Sequence, residues 1–305
     1  MKHKKGDKVD GWVVVDKPSG IGSTQLLSRV RRLYNAQKAG HAGTLDPMAS
    51  GVLPVALGEA TKTLPFMTDF GKAYDFTISF GTSTDTEDAD GVVVATSEKT
   101  PSEKEISAVL PALTGDILQV PPAYSAVHVD GKRAYDLARQ NKEVSLTARP
   151  VRVDSLTLND MPDEKTARFS VACGTGTYVR SLSRDIVAAL GVCGHVTVLR
   201  RTKSGKFSLS DTISLEKLET MGHSSNEPLP LLPVETVLDD ILALAVTEQQ
   251  AALLANGGFL PAAAFFGADI PPDGTTARAR CGGRLTAVVR VCGATIRPAR
   301  VFTGL

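Results

Sequence analysis

Between residues 74 and 80 the side chains alternate, with Tyr74, Phe76, Ile78 and Phe80 on one side and Asp75, Thr77 and Ser79 on the other. Period-two alternation predicts a strand with one buried face. The short apolar run Trp12 to Asp16 predicts a buried strand, and Val151 to Leu158, Arg168 to Cys173 and Val196 to Leu199 predict three more. Leu26, Leu27, Val30 and Leu33 recur at helical spacing behind Ser23, a residue suited to cap that helix. Arg29, Arg31 and Arg32 then lie mostly off the apolar stripe. Thr100-Pro101-Ser102-Glu103 reads as a helix start, with a capping residue, a proline at the first helical position and an acid three residues after the cap. That helix should run to about Leu113 and end at Thr114-Gly115. Tyr178 to Leu190 predicts a further helix, stopped by Gly191.

Strands and helices are mixed without the strict βαβ alternation of a Rossmann fold, which favours an α+β sheet with helices packed on it. The run Pro228 to Pro233 interrupts the pattern and predicts a linker, dividing the chain into residues 1–234 and 235–305. Beyond it, Thr247-Glu248-Gln249-Gln250 can open a short helix to Asn256, and Leu285 to Val291 reads as a strand. This part suits a small, β-rich, barrel-like appendage.

Composition adds little until it is mapped onto the chain. With 305 residues, 42% hydrophobic and 22% charged, the sequence can bury a large core as a soluble enzyme does. Met1 to Asp10 is basic and polar, and no stretch approaches the roughly 18 uninterrupted apolar residues of a membrane span, so the expected location is the cytoplasm. Cys173, Cys193, Cys281 and Cys292 form no CxxC pair and do not group with histidines as zinc ligands do; they read as reduced structural thiols. The formal net charge of +1 hides an uneven distribution. Lys2, Lys4, Lys5 and Lys8 open the chain, Arg29, Arg31, Arg32 and Lys38 follow, and Arg200, Arg201, Lys203 and Lys206 form a third group. From Thr275 onward there are six arginines, Arg278, Arg280, Arg284, Arg290, Arg297 and Arg300, and no acid; the acids concentrate elsewhere, notably from Asp85 to Asp90. Each cluster alone is more often a solvated face than a nucleic-acid site. Together they fit a polyanionic partner such as RNA.

The least ordinary segment runs Gly40-His41-Ala42-Gly43-Thr44-Leu45-Asp46-Pro47-Met48-Ala49-Ser50-Gly51 into Val52-Leu53-Pro54-Val55-Ala56-Leu57-Gly58-Glu59-Ala60-Thr61-Lys62. Glycines and a proline set a loop against an apolar strand, which is how a rigid element displays a reactive side chain. Taken alone, Asp46-Pro47 is an ordinary turn dipeptide and His41 an ordinary surface or core histidine. The whole string, however, resembles motif II of the TruB family of pseudouridine synthases. Gly11-Trp12-Val13-Val14-Val15-Asp16-Lys17-Pro18-Ser19-Gly20 resembles that family's motif I, and Lys72-Ala73-Tyr74 with Gly81-Thr82-Ser83-Thr84-Asp85-Thr86 resembles its next block. Gln119 to Ala126, Gly176-Thr177-Tyr178-Val179-Arg180 and Leu199-Arg200-Arg201-Thr202 with Ser204, Gly205 and Phe207 continue the likeness in order. The resemblance covers about two-thirds of the chain, from Gly11 to Phe207. Two positions depart from it: Gly22 stands where many relatives carry threonine, and Thr175 where many carry lysine. The second departure removes a cation near the expected site.

The resemblance implies a pseudouridine synthase fold, a mixed and mostly antiparallel sheet flanked by helices, followed by a PUA-like RNA-binding domain. It implies isomerisation of a uridine in the T arm of tRNA, in a monomer needing no cofactor, no metal, no membrane, no obligatory protein partner and no guide RNA. The chemistry breaks the N1–C1′ bond, turns the base, joins C5 to C1′ and removes the C5 proton, with nothing gained or lost. A carboxylate, here Asp46 by resemblance, can act as nucleophile on sugar or base, or as a base promoting elimination, and the residues leave those routes open. Arg180 is placed by the same resemblance beside Asp46, where a guanidinium favours the charged carboxylate and fixes its orientation. A uridine in a folded loop must be flipped out and stacked on a ring, and Tyr74 matches the family's stacking tyrosine. The resemblance further assigns His41 to holding the flipped state, Lys62 to a contact with the loop or RNA, and Tyr178 and Leu199 to the pocket lining; Lys17 reads as structural. A non-catalytic RNA-binding protein on this scaffold is disfavoured by intact Asp46, Tyr74 and Arg180. An unrelated acid–base hydrolase lacks a partner carboxylate in a comparable motif.

Overall fold

The computed structural model describes residues 6–68, 71–125, 127–129, 132–138, 140, 146–223 and 227–304. Lys2, Lys4, Lys5 and Ala126, named above, lie outside the described residues. Strand β1 (Gly11–Lys17) is apolar from Trp12 to Val15, where both of its faces are covered. Val13 and Val15 enter the main core, while Trp12 and Val14 enter a second one. Helix α1 (Ser23–Leu33) buries Leu26 and Val30 and leads to β2 (Ala39–His41) and β3 (Ser50–Leu57). Helix α2 (Leu64–Thr68) precedes β4 (Lys72–Phe80), whose Tyr74, Phe76, Ile78 and Phe80 are buried as the alternation predicts. A separate ribbon pairs β5 (Thr82–Thr84) with β6 (Val93–Thr96).

Helix α3 (Glu103–Val109) starts two residues later than the sequence predicts. Its cap is Ser102, in a reciprocal capping box with Glu105, because Ser102 offers the same hydroxyl chemistry with a glutamate at the right spacing. A tighter turn over Leu110–Leu113 completes it before β7 (Gly115–Gln119). A second ribbon, β8 (His128–Val129) with β9 (Lys132–Arg133), and α4 (Ala134–Ala138) precede the antiparallel pair β10 (Arg149–Asp163) and β11 (Thr166–Cys173). Helix α5 (Val179–Leu190) packs Leu182, Ile186 and Leu190 into the main core and is stopped by Gly191 in a left-handed conformation, φ 63°. Strands β12 (Gly194–Ser204), β13 (Phe207–Ser208) and β14 (Ile213–Ser214) and helix α6 (Leu215–His223) follow.

Ten of these strands form one sheet, in the order β14-β1-β3-β12-β4-β11-β10-β7, with β2 on β3 and β13 on β12. Only β1 with β14 and β3 with β12 run parallel, so the sheet is mixed and mostly antiparallel, as expected. At the parallel junction Gly51 lies opposite Arg201 with φ +102°, and a Cβ there would collide with the Arg201 carbonyl. Glycine is therefore required where the loop ahead of β3 joins the sheet.

A second sheet, in the order β15-β17-β18-β19-β16, is built from β15 (Leu242–Ala245), β16 (Leu260–Pro261), β17 (Thr276–Cys281), β18 (Arg284–Cys292) and β19 (Thr295–Val301). Helix α7 (Glu248–Ala255) packs on it, capped by Thr247 with Gln250 as the sequence predicts. The segment from Pro228 to Pro233 is not a free linker. Leu232 exchanges two backbone hydrogen bonds of 2.8 Å with Trp12, Leu229 packs on the main core, and the Tyr34 hydroxyl donates to the Pro230 carbonyl. Prolines mark the break in pattern, but the intervening leucines tie the segment down. Val234, Val237 and Leu238 then join Leu285, Val288 and Phe302 against Trp12 and Val14, so the second sheet covers the outer face of β1.

Candidate active site

Asp46 lies in the loop between β2 and β3, and several backbone groups around it are held by groups from elsewhere in the fold. Ser23 does not cap α1: Gly22 occupies the cap position, and the buried Ser23 hydroxyl both donates to the Leu45 carbonyl and accepts from the Leu45 amide, at 2.8 Å each. The Ser19 hydroxyl donates to the Met48 carbonyl at 2.8 Å, and the Gly20 amide to that of Pro47 at 2.8 Å. Lys17, fully buried, gives its ammonium to the carbonyls of Pro18, Ile21 and Pro47 at 2.9, 2.6 and 3.2 Å. Burial pushes its pKa down to about 8, with the charge of Asp46 opposing the fall. On the other side, Arg201 donates to the carbonyls of Val52 at 2.7 Å and Gly43 at 3.1 Å. Two buried cations thus clamp the two ends of the loop without touching the carboxylate.

Arg180 reaches that carboxylate from the first turn of α5. Its Nε donates to Asp46 Oδ2 at 2.9 Å, Nη1 to the Thr86 carbonyl at 2.9 Å and Nη2 to the Tyr124 carbonyl at 2.8 Å. Asp88 Oδ2 lies 3.5 Å from the same Nε. The arginine side chain is only 4% exposed, whereas that of Asp46 is 34% exposed, so the pair presents a carboxylate to solvent from a buried support. The role of Asp88 as second acid on Arg180 escapes the sequence reading. The signal was present in the crowding of Thr84, Thr86, Asp88, Asp90 and Gly91, residue types that bind their own backbone in tight turns.

Asp46 stands between two hollows. One, of about 240 Å³, is lined by Tyr74, Tyr178, Leu199, Lys72 and Arg180 as well as Asp46. Burial pushes the Tyr74 hydroxyl up, and the Arg201 guanidinium directly across from it in the β4–β12 register pulls it back. Burial also raises Tyr178, whose backbone is fixed at both polar groups by the Gln119 side-chain amide, at 3.2 and 2.8 Å. The other hollow, of about 630 Å³, is walled by Asp85, Asp88 and Asp90 and by Tyr124. Asp90 is pushed up by burial and by the charges of Asp88 and Asp46. The acids from Asp85 to Asp90 therefore border the site, which their position in the sequence did not suggest.

The structure brings Asp46, Tyr74, Arg180, Tyr178 and Leu199 to one hollow; it does not bring His41 or Lys62 there. His41 is half-buried on β2, its Nδ1 has no hydrogen-bond partner among the described residues, and burial together with Arg201 lowers its pKa. Lys62 donates to Glu59 at 2.6 Å and to the Val301 carbonyl at 2.7 Å, tying the first half of the chain to β19. Much of the basic charge is also engaged internally. Arg200 grips Asp16 with two bonds, Lys206 pairs with Asp240 at 2.9 Å, and Lys8 donates to the Thr303 carbonyl at 3.0 Å. Arg278 meets Asp239 at 2.7 Å and Arg280 meets Glu235 at 3.2 Å, so two of the six late arginines face acids that precede them in sequence. Arg284, Arg290, Arg297 and Arg300 remain exposed. Among the described residues no group of His, Cys, Asp and Glu could hold a metal ion, and no helix is long and apolar enough to cross a membrane.

Residues 31–179 match the model of the TruB family pseudouridylate synthase N-terminal domain, and residues 180–241 that of the tRNA pseudouridylate synthase B C-terminal domain. The chain is similar to proteins named tRNA pseudouridine synthase B from Caulobacter vibrioides, 48% identical over 99% of this chain and 98% of the relative, and from Bradyrhizobium diazoefficiens, 49% identical over 100% and 91%. Among solved structures, a chain of a Cbf5-Nop10-Gar1 complex aligns with TM-score 0.72 and 26% identity, covering 96% of this chain and 85% of that one. A chain of the archaeal box H/ACA sRNP Nop10-Cbf5 complex, 23% identical with TM-score 0.72 over 99% and 92%, shares the fold.

Proposed function

The chain belongs to the TruB family of pseudouridylate synthases, and from that premise we propose that it isomerises a uridine in the T arm of tRNA to pseudouridine with Asp46 as the catalytic carboxylate. One observation carries the reading: a part-exposed carboxylate, gripped by a buried arginine, at the wall of a 240 Å³ hollow that also contains the Tyr74 ring. The target base leaves its stack, enters this hollow and lies against Tyr74, with Tyr178 and Leu199 bounding it. Arg180 aims Asp46, because its Nε holds one carboxylate oxygen at 2.9 Å while its other two nitrogens are fixed on main-chain carbonyls. The loop contacts of Ser23, Lys17 and Arg201 support the aim by leaving Asp46 little backbone freedom.

Residues 1–234 form the catalytic unit in this reading, and residues 235–305 a PUA-like unit that adds phosphate contacts through Arg284, Arg290, Arg297 and Arg300. The enzyme works as a single chain on free tRNA, without a guide RNA, a protein partner, a metal or a cofactor. The test uses the purified chain and unmodified tRNA carrying tritium at uridine C5. Tritium release by the wild type, and its loss in Asp46→Asn with tRNA affinity within a few-fold, is the expected result. Turnover at the normal rate by Asp46→Asn, or release that requires a second protein, would overturn the assignment.

A further inference from the structure

Lys72 opens β4 two residues before Tyr74, so strand periodicity sends both side chains to the same face, and both line the 240 Å³ hollow with Asp46. Its ammonium has no ion-pair or hydrogen-bond partner among the described residues, and its surroundings do not neutralise it. From β11 the register neighbour is Cys173, whose thiol burial pushes up to about 11 and which is therefore neutral at physiological pH. From β12 comes Arg201, fully buried, which donates to the Val52 and Gly43 carbonyls and whose Nη1 has no hydrogen-bond partner among the described residues. The loop contributes Gly43, where a Cβ would sit 3.3 Å from Lys72 Cε and 3.4 Å from Arg201 Nη1. Asp46, the acid of this hollow, has Arg180 as its ion-pair partner. Burial, and then Arg201, hold the Lys72 pKa below its ordinary value. A half-buried ammonium beside a second unneutralised cation is unfavourable in the empty protein, and it becomes favourable when negative charge appears in the hollow.

The reaction supplies such a charge. When the N1–C1′ bond breaks, its electron pair stays on the base, and the uracil carries one negative charge spread over N1, O2 and O4. C5 then closes on C1′, its proton departs and N1 gains one, so composition is unchanged and the charge is transient. We propose that Lys72 is a further catalytic residue of this enzyme, its ammonium stabilising the uracil anion in the hollow while Arg201, buried behind it, keeps that region positive. The inference rests on the reading that the base enters the hollow beside Asp46. Lys72 binds the detached base more strongly than the intact nucleoside, so it lowers the barrier and leaves ground-state affinity nearly unchanged.

The experiment measures single-turnover tritium release and tRNA affinity for the wild type, Lys72→Met, Lys72→Arg and Asp46→Asn, with melting temperatures for each. Lys72→Met should slow the single-turnover step by about 100-fold or more, the usual effect of removing one such donor, with affinity within about threefold. Lys72→Arg, which keeps the charge, should recover at least about tenfold of that loss. The wild-type rate should also decline as alkaline pH neutralises Lys72, and the arginine variant should lack that decline, a readout that a purely structural lysine would not move. A wild-type rate in Lys72→Met overturns the proposal. So does a loss confined to affinity with a shallower salt dependence, which marks a phosphate contact instead, and so does a fall in melting temperature and rate that arginine fails to rescue. Turnover by Asp46→Asn would remove the reading of the hollow itself. An inactive Asp46→Asn beside an unimpaired Lys72→Met removes the lysine proposal alone.

Discussion

Arg180 Nε donates to Asp46 Oδ2 at 2.9 Å across 134 residues of sequence, while both terminal nitrogens of the same guanidinium hold main-chain carbonyls. Removing the arginine therefore does two kinds of damage. Arg180→Met should abolish turnover, and it should lower stability by about 3–5 kcal/mol, because Asp88 is left as a buried acid without its cation. Arg180→Lys keeps a charge, but a single ammonium nitrogen does not span acceptors that three separate guanidinium nitrogens reach, so it should recover part of the stability and little of the activity. Denaturant unfolding with single-turnover rates checks both; an Arg180→Met protein of wild-type stability would contradict the geometry.

Ser23 makes a different forecast according to what its hydroxyl holds. Ser23→Ala should destabilise the protein by about 1–3 kcal/mol through the buried Leu45 amide left unpaired, and should slow turnover by loosening the Asp46 loop. Amide hydrogen exchange locates the loss: protection at Leu45 should fall while the first turn of α1 keeps its own. The opposite pattern would restore Ser23 to a capping role.

Cys173 gives a stability change of known sign with pH. Its thiol ionises near 9 in the unfolded chain and is raised to about 11 by burial in the fold, so the folded state holds the proton longer. The contribution is fully present below pH 9 and is lost as pH rises toward 11, amounting to about 2–3 kcal/mol. Cys173→Ala should flatten the alkaline limb of the unfolding free energy. At pH 8 the native protein should also take up alkylating reagent at exposed Cys292 long before Cys173, read by mass spectrometry of the peptides.

The late arginines divide into two classes that tRNA binding can separate. Arg290 and Arg297 are exposed partners on β18 and β19. Neutralising both to glutamine should weaken tRNA binding and reduce the slope of log affinity against log salt by up to about 2. Arg278→Gln breaks the contact with Asp239 instead, and should leave the slope unchanged while lowering the melting temperature. Equal slopes for both variants would mean that this face of the second sheet does not meet RNA.

What the sequence disclosed followed from local rules. The alternation around Tyr74 produced β4, and Gly191 stopped α5, because periodicity and stop signals act over a few residues. What it hid depended on distant pairings. Ser23 has the chemistry of a cap and is recruited by Leu45; Lys62 sits in the motif of the Asp46 loop, yet points at β19; Arg200 and Arg201 look like one basic patch, but one is paired with Asp16 and the other lies wholly inside the protein. Counting cations by proximity in sequence overestimates the charge available to RNA, since no local signal says which acids or carbonyls the fold will bring to them. Lys72 is the converse case: it stands in the block that carries Tyr74, but no local signal says which groups will surround its ammonium, and its isolation becomes visible only once Cys173 and Arg201 flank it.

Trp12 and Val14, near the start of the chain, are covered in part by Leu285, Val288 and Phe302, near its end. A ribosome delivers those groups in that order, with some 270 residues of synthesis between them. At a typical elongation speed of about 5–20 residues per second, the outer face of the first strand waits on the order of 10–60 s for this last part of its cover. Throughout that interval Trp12 and Val14 lack part of the apolar cover that the finished chain gives them. Any truncated product ending before β18 lacks that part of the cover permanently, so premature termination leaves open to solvent apolar surface that the full chain buries.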